Sequence, residues 1–394
     1  MSDSGQSTIT VASRLSGYLR GGGVIVPLVT VAIALLAGGL VVTVTGSNPF
    51  STYKAIFEGS GLNWLFPWIS AEDRTLAGLN LQQTLISATA FILVGLAVAY
   101  AFRAGMFNIG GQGQYFVGSF VAVWVGSSLD GLPAAVHIVL AIVLAAGAGA
   151  LWAGIAGLLK ARTGTNEVVS TIMLNYCAIW LGAYLFGLGG PLHSDTQASV
   201  PISNPVLDEA RLPVFWGDPD LQGLHIGIFV SLLALVVFWV LLNRSVRGYE
   251  ARAVGFNPEA AEYGGIDAGR TYVRVMLVCG GFAGLAGSLD VLGWQFAIAT
   301  NDLPFNTIGF LGIAVALLGR NTATGVLFSA VLFAALVNGT SVRNLDPAIF
   351  EPELAQNLTV IIQGLVILLV SAPVIVTSLF AAARRLRLTR GRPV

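Results

Sequence analysis

Phe91-Ile92-Leu93-Val94-Gly95-Leu96-Ala97-Val98-Ala99-Tyr100-Ala101-Phe102-Arg103-Ala104-Gly105-Met106-Phe107-Asn108-Ile109-Gly110-Gly111-Gln112-Gly113-Gln114 carries no charge except Arg103. Twelve apolar residues run into a single basic stop, and a second apolar run opens straight after it. That pattern reads as two membrane helices joined by a tight turn. The opening of the second helix is unusual, because Gly105, Gly110, Gly111 and Gly113 crowd into it. Each glycine inside a helix costs about 1 kcal/mol relative to alanine. The stretch therefore predicts a kinked or locally unwound start, or very close helix packing. Asn108, Gln112 and Gln114 add uncharged donors and acceptors at the same place. They suit hydrogen bonds between helices, or a solute pathway lined by neutral groups, or a hinge beside one.

The rest of the chain agrees with a membrane setting. Of 394 residues, 55% are hydrophobic and 10% charged, whereas a soluble domain is about 25% charged. So few charges cannot cover a water-facing surface, and the 48 glycines suit helices that approach closely in lipid. Ten apolar windows approach the roughly 20 residues that cross a bilayer: residues 24–46, 82–102, 108–128, 132–159, 168–189, 224–242, 272–293, 304–319, 321–339 and 357–380. All are expected to be helical, since lipid offers the backbone no hydrogen-bond partners. The eighth window is short, and fits either a full span or a broken helix. The first is too long for a signal-peptide core. Net charge is zero, so no nucleic-acid partner is implied; the lipid bilayer is the surface this chain expects. Cys177 and Cys279 fall in apolar runs and read as small core residues.

Threading ten spans from a cytoplasmic N-terminus places 16 of the 20 Lys and Arg residues inside and 4 outside (Lys54, Arg74, Arg211 and Arg343). This bias predicts a plasma-membrane protein of bacterial type with both termini cytoplasmic. The implied organisation is a cytoplasmic tail at 1–23, a membrane domain at 24–380 with one long cytoplasmic loop at 243–271, and a basic tail at 381–394. Residues 47–81 and 190–223 are the long outer connections. The first carries interfacial aromatics, and the second reads as a passive loop or a docking surface.

Several functions are excluded by what is missing. A phosphate-binding loop needs a Gly-Lys pair, but Lys54 follows Tyr53 and Lys160 follows Leu159. Any ATP and Mg chemistry therefore belongs to another chain, and no cofactor is expected here. His137, His193 and His225 are scattered, so neither a metal site nor a catalytic constellation is expected, and the chain does not read as an enzyme. Asp290, near the outer end of the seventh window, is the one candidate for an intramembrane charge. This argues against an ion-coupled secondary transporter of a small neutral solute, the alternative reading.

The long cytoplasmic loop contains Gly255-Phe256-Asn257-Pro258-Glu259-Ala260-Ala261-Glu262-Tyr263-Gly264-Gly265. Asn257 is a good helix cap and Pro258 a good first residue. Glu259 and Glu262 suit the first turn, and the glycine pair stops it. A very short helix over 257–264 is predicted, a suitable lever for a motor subunit.

At these points the chain resembles the binding-protein-dependent permeases of the branched-chain amino acid/ribose/nucleoside family. The similar blocks are Gly105–Gln114, Thr165–Tyr176, Arg252–Ala261 and Gly312–Arg320, in order across the membrane portion; the second is typical of the nucleoside and simple-sugar branch. The chain departs from many relatives at Gly111-Gln112-Gly113, where an acidic residue often precedes the glycine. The resemblance implies an all-α polytopic fold of the type II ABC importer kind, with about ten spans and inverted repeats. It implies partners: two ATPase subunits, a second permease subunit and an external solute-binding protein. It makes Arg252, Gly255, Asn257, Pro258 and Ala261 the ATPase-coupling residues. Asn108, Gln112, Gln114, Asn175 and Asn306 are the candidates for lining the solute pathway, because neutral amides can hold a nucleoside or sugar without trapping it by charge. Phe107-Asn108-Ile109-Gly110, opening the third span from inside, is echoed by Phe305-Asn306-Thr307-Ile308-Gly309, opening the eighth from outside, as an inverted repeat requires.

Overall fold

The computed structural model of the chain describes residues 25–219, 222–341, 344 and 352–371. The tails read at 1–23 and 381–394, and the last part of the tenth window at 372–380, lie outside the described residues. Thirteen α-helices occupy what is described. They are α1 (Ile25–Val44), α2 (Pro49–Gly59), α3 (Ala71–Arg103), α4 (Gly111–Ser128), α5 (Ala134–Thr163), α6 (Glu167–Phe186), α7 (Gly227–Arg244), α8 (Val246–Phe256), α9 (Pro258–Tyr263), α10 (Ala268–Asp290), α11 (Ile308–Leu318), α12 (Ala323–Gly339) and α13 (Pro352–Ser371). Residues 1–52 and 357–394 form one unit, holding α1 and most of α13, and residues 53–356 form another. Everything described below lies in the second unit.

Each of the ten windows contains one helix, and the boundaries move for local reasons. The outer connection expected at 47–81 is shorter than that, because α3 already begins at Ala71. Ser70 caps it by accepting from the Asp73 N–H, with Glu72 and Asp73 in the first turn, where carboxylates favour the helix dipole. Its 33 residues extend about 50 Å at 1.5 Å per residue, so α3 outruns the hydrocarbon layer. The loop at 243–271 holds two helices instead of one. Ser245 caps α8 through the Gly248 N–H, and Asn257 then caps α9 through the Ala260 N–H.

The helices around α10 meet through glycine. A Cβ built at Gly149 of α5 would lie 2.5 Å from the Gly280 carbonyl oxygen and 2.7 Å from the Gly284 Cα. One built at Gly118 of α4 would lie 2.5 Å from the same Gly284 Cα. Backbone thus rests directly on backbone where α4, α5 and α10 cross, and dispersion between closely packed chains holds the crossing together. The opposite side of α5 exposes Val136, Val139, Val143 and Leu151, and α6 exposes Met173, Tyr176, Trp180 and Tyr184. Cys177 also faces outward, while Cys279 is buried. The core reading of Cys177 is therefore corrected: its place on α6 turns it to the apolar exterior.

The segment 190–223, expected to be a passive loop or a docking surface, is built into the fold among its described residues. Ile202 bridges to Ala299, the Leu207 N–H donates to the Gly126 carbonyl at 2.9 Å, and the Leu212 N–H donates to the Leu292 carbonyl at 2.8 Å. β1 (Val214–Trp216) pairs antiparallel with β2 (Leu224–His225), a small exception to the all-helical expectation. His225 is fully buried there, its Nδ1 accepting from the Gly227 N–H at 3.1 Å. Nε2 finds no hydrogen-bond partner among the described residues. Burial holds the imidazole down at about 4, well below its usual 6.5. Neutral His225 is what the fold accepts, so stability is intact above pH 6.5 and is lost as the pH falls from 6.5 toward 4. The full loss is about 3 kcal/mol. Thermal unfolding of the detergent-purified protein should show Tm dropping between pH 7 and pH 5, and His225→Gln should flatten that drop.

Candidate translocation site and coupling elements

Two of the spans are broken, and the breaks meet. After α3 ends at Arg103, residues 104–110 run without helix before α4 starts. After the 3-10 turn at 300–302, residues 303–307 likewise precede α11, which has only 11 residues. At 1.5 Å each that is about 16 Å, half of a hydrocarbon layer. The broken-helix option for the eighth window is the one realised. Both starts are made the same way. Asn108 Oδ1 accepts from the Gly110 N–H at 3.0 Å, and Asn306 Oδ1 accepts from the Ile308 N–H at 2.9 Å. The four-residue echo in sequence is thus an echo in structure. The two openings touch where Gln112 Nε2 donates to the Asn306 carbonyl at 2.7 Å.

The five amides named from sequence come together as one network at this junction. Asn108 and Gln114 pair reciprocally, Nδ2 to Oε1 at 3.0 Å and Nε2 to Oδ1 at 2.9 Å. Asn175 of α6 spans the break, accepting from the Gly113 N–H at 2.8 Å and donating to the Ile109 carbonyl at 2.9 Å. Asn175 stands eight residues beyond Glu167, about 12 Å along α6 at 1.5 Å per residue, so the non-helical backbone runs well into the bundle. Such backbone is tolerated only where protein groups satisfy it, and these side chains do so. Asn108, Gln114 and Asn175 spend their amides inside the network. Asn306 also borders open space.

That space is a cavity of about 490 Å³ on the side of the junction facing residues 294–306. Tyr115, Phe116, Trp294, Gln295, Asp302 and Asn306 line it, together with Ile298 and Leu303. A smaller chamber of about 190 Å³ adjoins it across Tyr115, Trp294, Gln295 and Asn306, and holds Asp290. Sequence reading gave no sign of Tyr115, Trp294 or Gln295. Asp290 was the one signal available, and its place at the end of α10 made it look unremarkable. In the fold it is 4% exposed and accepts from Tyr115 Oη at 2.7 Å and from Trp294 Nε1 at 3.1 Å.

At the end of the bundle bearing Arg103, α8 reaches the same segment, and α9 follows it. A Cβ at Gly255 would lie 2.7 Å from the Arg103 carbonyl oxygen and 2.8 Å from the Gly105 nitrogen. Gly105 itself sits at φ 68°, a conformation open chiefly to glycine. Asn257 and Pro258 start α9, and Ala261 is buried with Val254 and Ala268. Arg252 Nη1 is buried with no hydrogen-bond partner among the described residues. Phe256 and Tyr263 are 89% and 95% exposed, leaving apolar area open beside α9. Glu167 ties this end to the break from another side: it pairs with Lys160 at 2.6 Å and accepts from the Phe107 N–H at 3.4 Å.

Apolar helices of spanning length, interrupted helices meeting in the core and a cavity of mixed aromatic and polar lining beside them point to a multi-pass membrane permease. The family described as branched-chain amino acid transport system, permease component, matches residues 80–371. The guanosine ABC transporter permease protein NupP of Bacillus subtilis is 42% identical over 80% of this chain and 85% of its own length. The nucleoside ABC transporter permease protein NupB of Lactococcus lactis is 32% identical over 80% and 83%. The glucose ABC transporter permease protein TsgB13 of Haloferax volcanii is 33% identical over 80% of each. No solved structure matches the chain. The chain belongs to the branched-chain amino acid transport permease family, as an ABC transporter permease.

Proposed function

We propose that this permease imports nucleosides, with a simple sugar as the second choice, driven by ATP hydrolysis on separate ATPase subunits. The observation that carries the reading is the contact between the two helix starts at Gln112 and Asn306, beside a cavity lined mainly by aromatic, apolar and neutral polar groups, with Asp302 among them. Such groups bind an uncharged, hydrogen-bonding solute without retaining it. The NupP and NupB relatives support a nucleoside, and the TsgB13 relative supports the sugar.

In this proposal both termini are cytoplasmic, in keeping with the Lys and Arg bias. An external binding protein delivers solute to the end carrying residues 190–223, and a second permease subunit completes the assembly. ATPase subunits grip α9 and the exposed Phe256 and Tyr263. Movement of α8 pushes through Gly255 onto Arg103–Gly105 and so onto the break held by Asn108 and Asn175. Solute affinity alone shifts only the population of states; net accumulation comes from hydrolysis on the partners.

The buried Asp290 is the one observation favouring an ion-coupled carrier instead. Vesicle uptake separates the two. Guanosine uptake should require the cognate ATPase and ATP. Uptake that survives removal of the ATPase and follows a proton or sodium gradient would overturn the reading.

A further inference from the structure

The residues around Asp290 form a built acceptor site. α10 does not simply end there. Residues 291–295 widen into a π-turn, closed by the Phe296 N–H donating to the Val291 carbonyl at 2.9 Å, and Phe296 sits at φ 57°. Single π-turns inside helices recur at functional sites, and a left-handed phenylalanine is strained. The widened turn folds Trp294 back onto its own helix, so that its indole N–H reaches Asp290 Oδ1. From α4, Tyr115 donates to Oδ2, while Gln295 Nε2 donates to the Tyr115 oxygen at 3.3 Å. Two donors thus hold the carboxylate in a single orientation, and Gln295 steadies one of them. Among the described residues it makes no ion pair.

A carboxylate oxygen has two acceptor positions, and each oxygen of Asp290 has one donor. One acceptor position therefore remains on each, and the residue borders the inner chamber. Two acceptors at the spacing of one carboxyl group match two hydroxyls on neighbouring carbons, as acidic side chains grip ribose in nucleotide-binding folds. The larger cavity next door presents the planar rings of Phe116 and Trp294. We propose, resting on the nucleoside reading above, that Asp290 receives the ribose 2′- and 3′-hydroxyls of the solute while the base lies among Phe116 and Trp294. Tyr115 and Trp294 are then positioning residues for the carboxylate, and Gln295 steadies Tyr115.

The test uses the full importer, with its ATPase and binding protein, in proteoliposomes. Uptake efficiency is compared for guanosine and 2′,3′-dideoxyguanosine. Loss of a hydrogen bond to a charged group costs roughly 10- to 100-fold, so the native protein should favour guanosine by at least that factor. Asp290→Asn should cut the preference about tenfold or more. The binding protein is the same in both, so its own selectivity cancels in the comparison. Tyr115→Phe, which keeps the ring, should cut the preference by a smaller factor and provides the readout if Asp290→Asn does not fold. A purely structural role would lower both uptakes together and leave their ratio unchanged, and an unchanged ratio in the folded variants overturns the inference alone. No guanosine uptake by the native importer, with ATPase activity stimulated by a sugar instead, overturns the nucleoside reading and this inference with it.

Discussion

Gly255→Leu is expected to abolish ATP-driven uptake while the protein still inserts and can be purified. The reason is contact, not conformation. α8 lies against the turn after α3 so closely that even a Cβ at residue 255 would sit 2.7 Å from the Arg103 carbonyl oxygen and 2.8 Å from the Ala104 carbonyl carbon. Those are backbone atoms of a turn whose Gly105 has little freedom to give way. A leucine must lift α8 off the turn. The membrane helices do not depend on that contact, since their burial lies elsewhere. The proposed coupling route to residues 104–110 runs through it. ATP hydrolysis by the assembled complex should continue, uncoupled from transport. Asn257→Ala removes only the α9 cap, worth about 1 kcal/mol, and should weaken coupling without ending it. Normal transport by Gly255→Leu would remove the coupling assignment.

Gly280→Leu should have the largest effect on stability. A Cβ at this position would overlap the Gly149 carbonyl and come within 2.5 Å of the Ala153 Cβ. Overpacking in a tight core costs about 1–3 kcal/mol even where side chains can move, and here one neighbour is backbone. Separating α5 from α10 would also open the Gly118–Gly284 contact with α4. Thermal unfolding in detergent should give a large drop in Tm or no folded protein. Gly281 is the internal control, with nothing within 4 Å of its Cβ position. Gly281→Leu should leave Tm nearly unchanged; equal damage from both would mean that the glycine crossing is not what holds these helices.

The positions of the ten helices in apolar windows could be read from hydropathy, because a bilayer demands long apolar segments. α8 was missed because it crosses nothing: its 11 residues carry no apolar run, and only the Ser245 cap marks its start. The broken start of α4 was visible as glycine density, and that of α11 only as a faint repeat of Phe-Asn. Their meeting was not visible at all, since Gln112 and Asn306 are separated by 194 positions. The same holds for the cavity, where Tyr115 lies 175 positions from Asp290.

By itself the amino-acid order determined a many-helix membrane chain and the short helix that Asn257 caps. These follow from local quantities: apolar length and helix caps. Only the tertiary structure decided that the five amides brace two helix starts and that Asp290 faces an aromatic chamber. A hydrogen bond in lipid binds whichever polar group packing brings near, and packing of glycine on glycine is a property of whole helices crossing, not of any one of them.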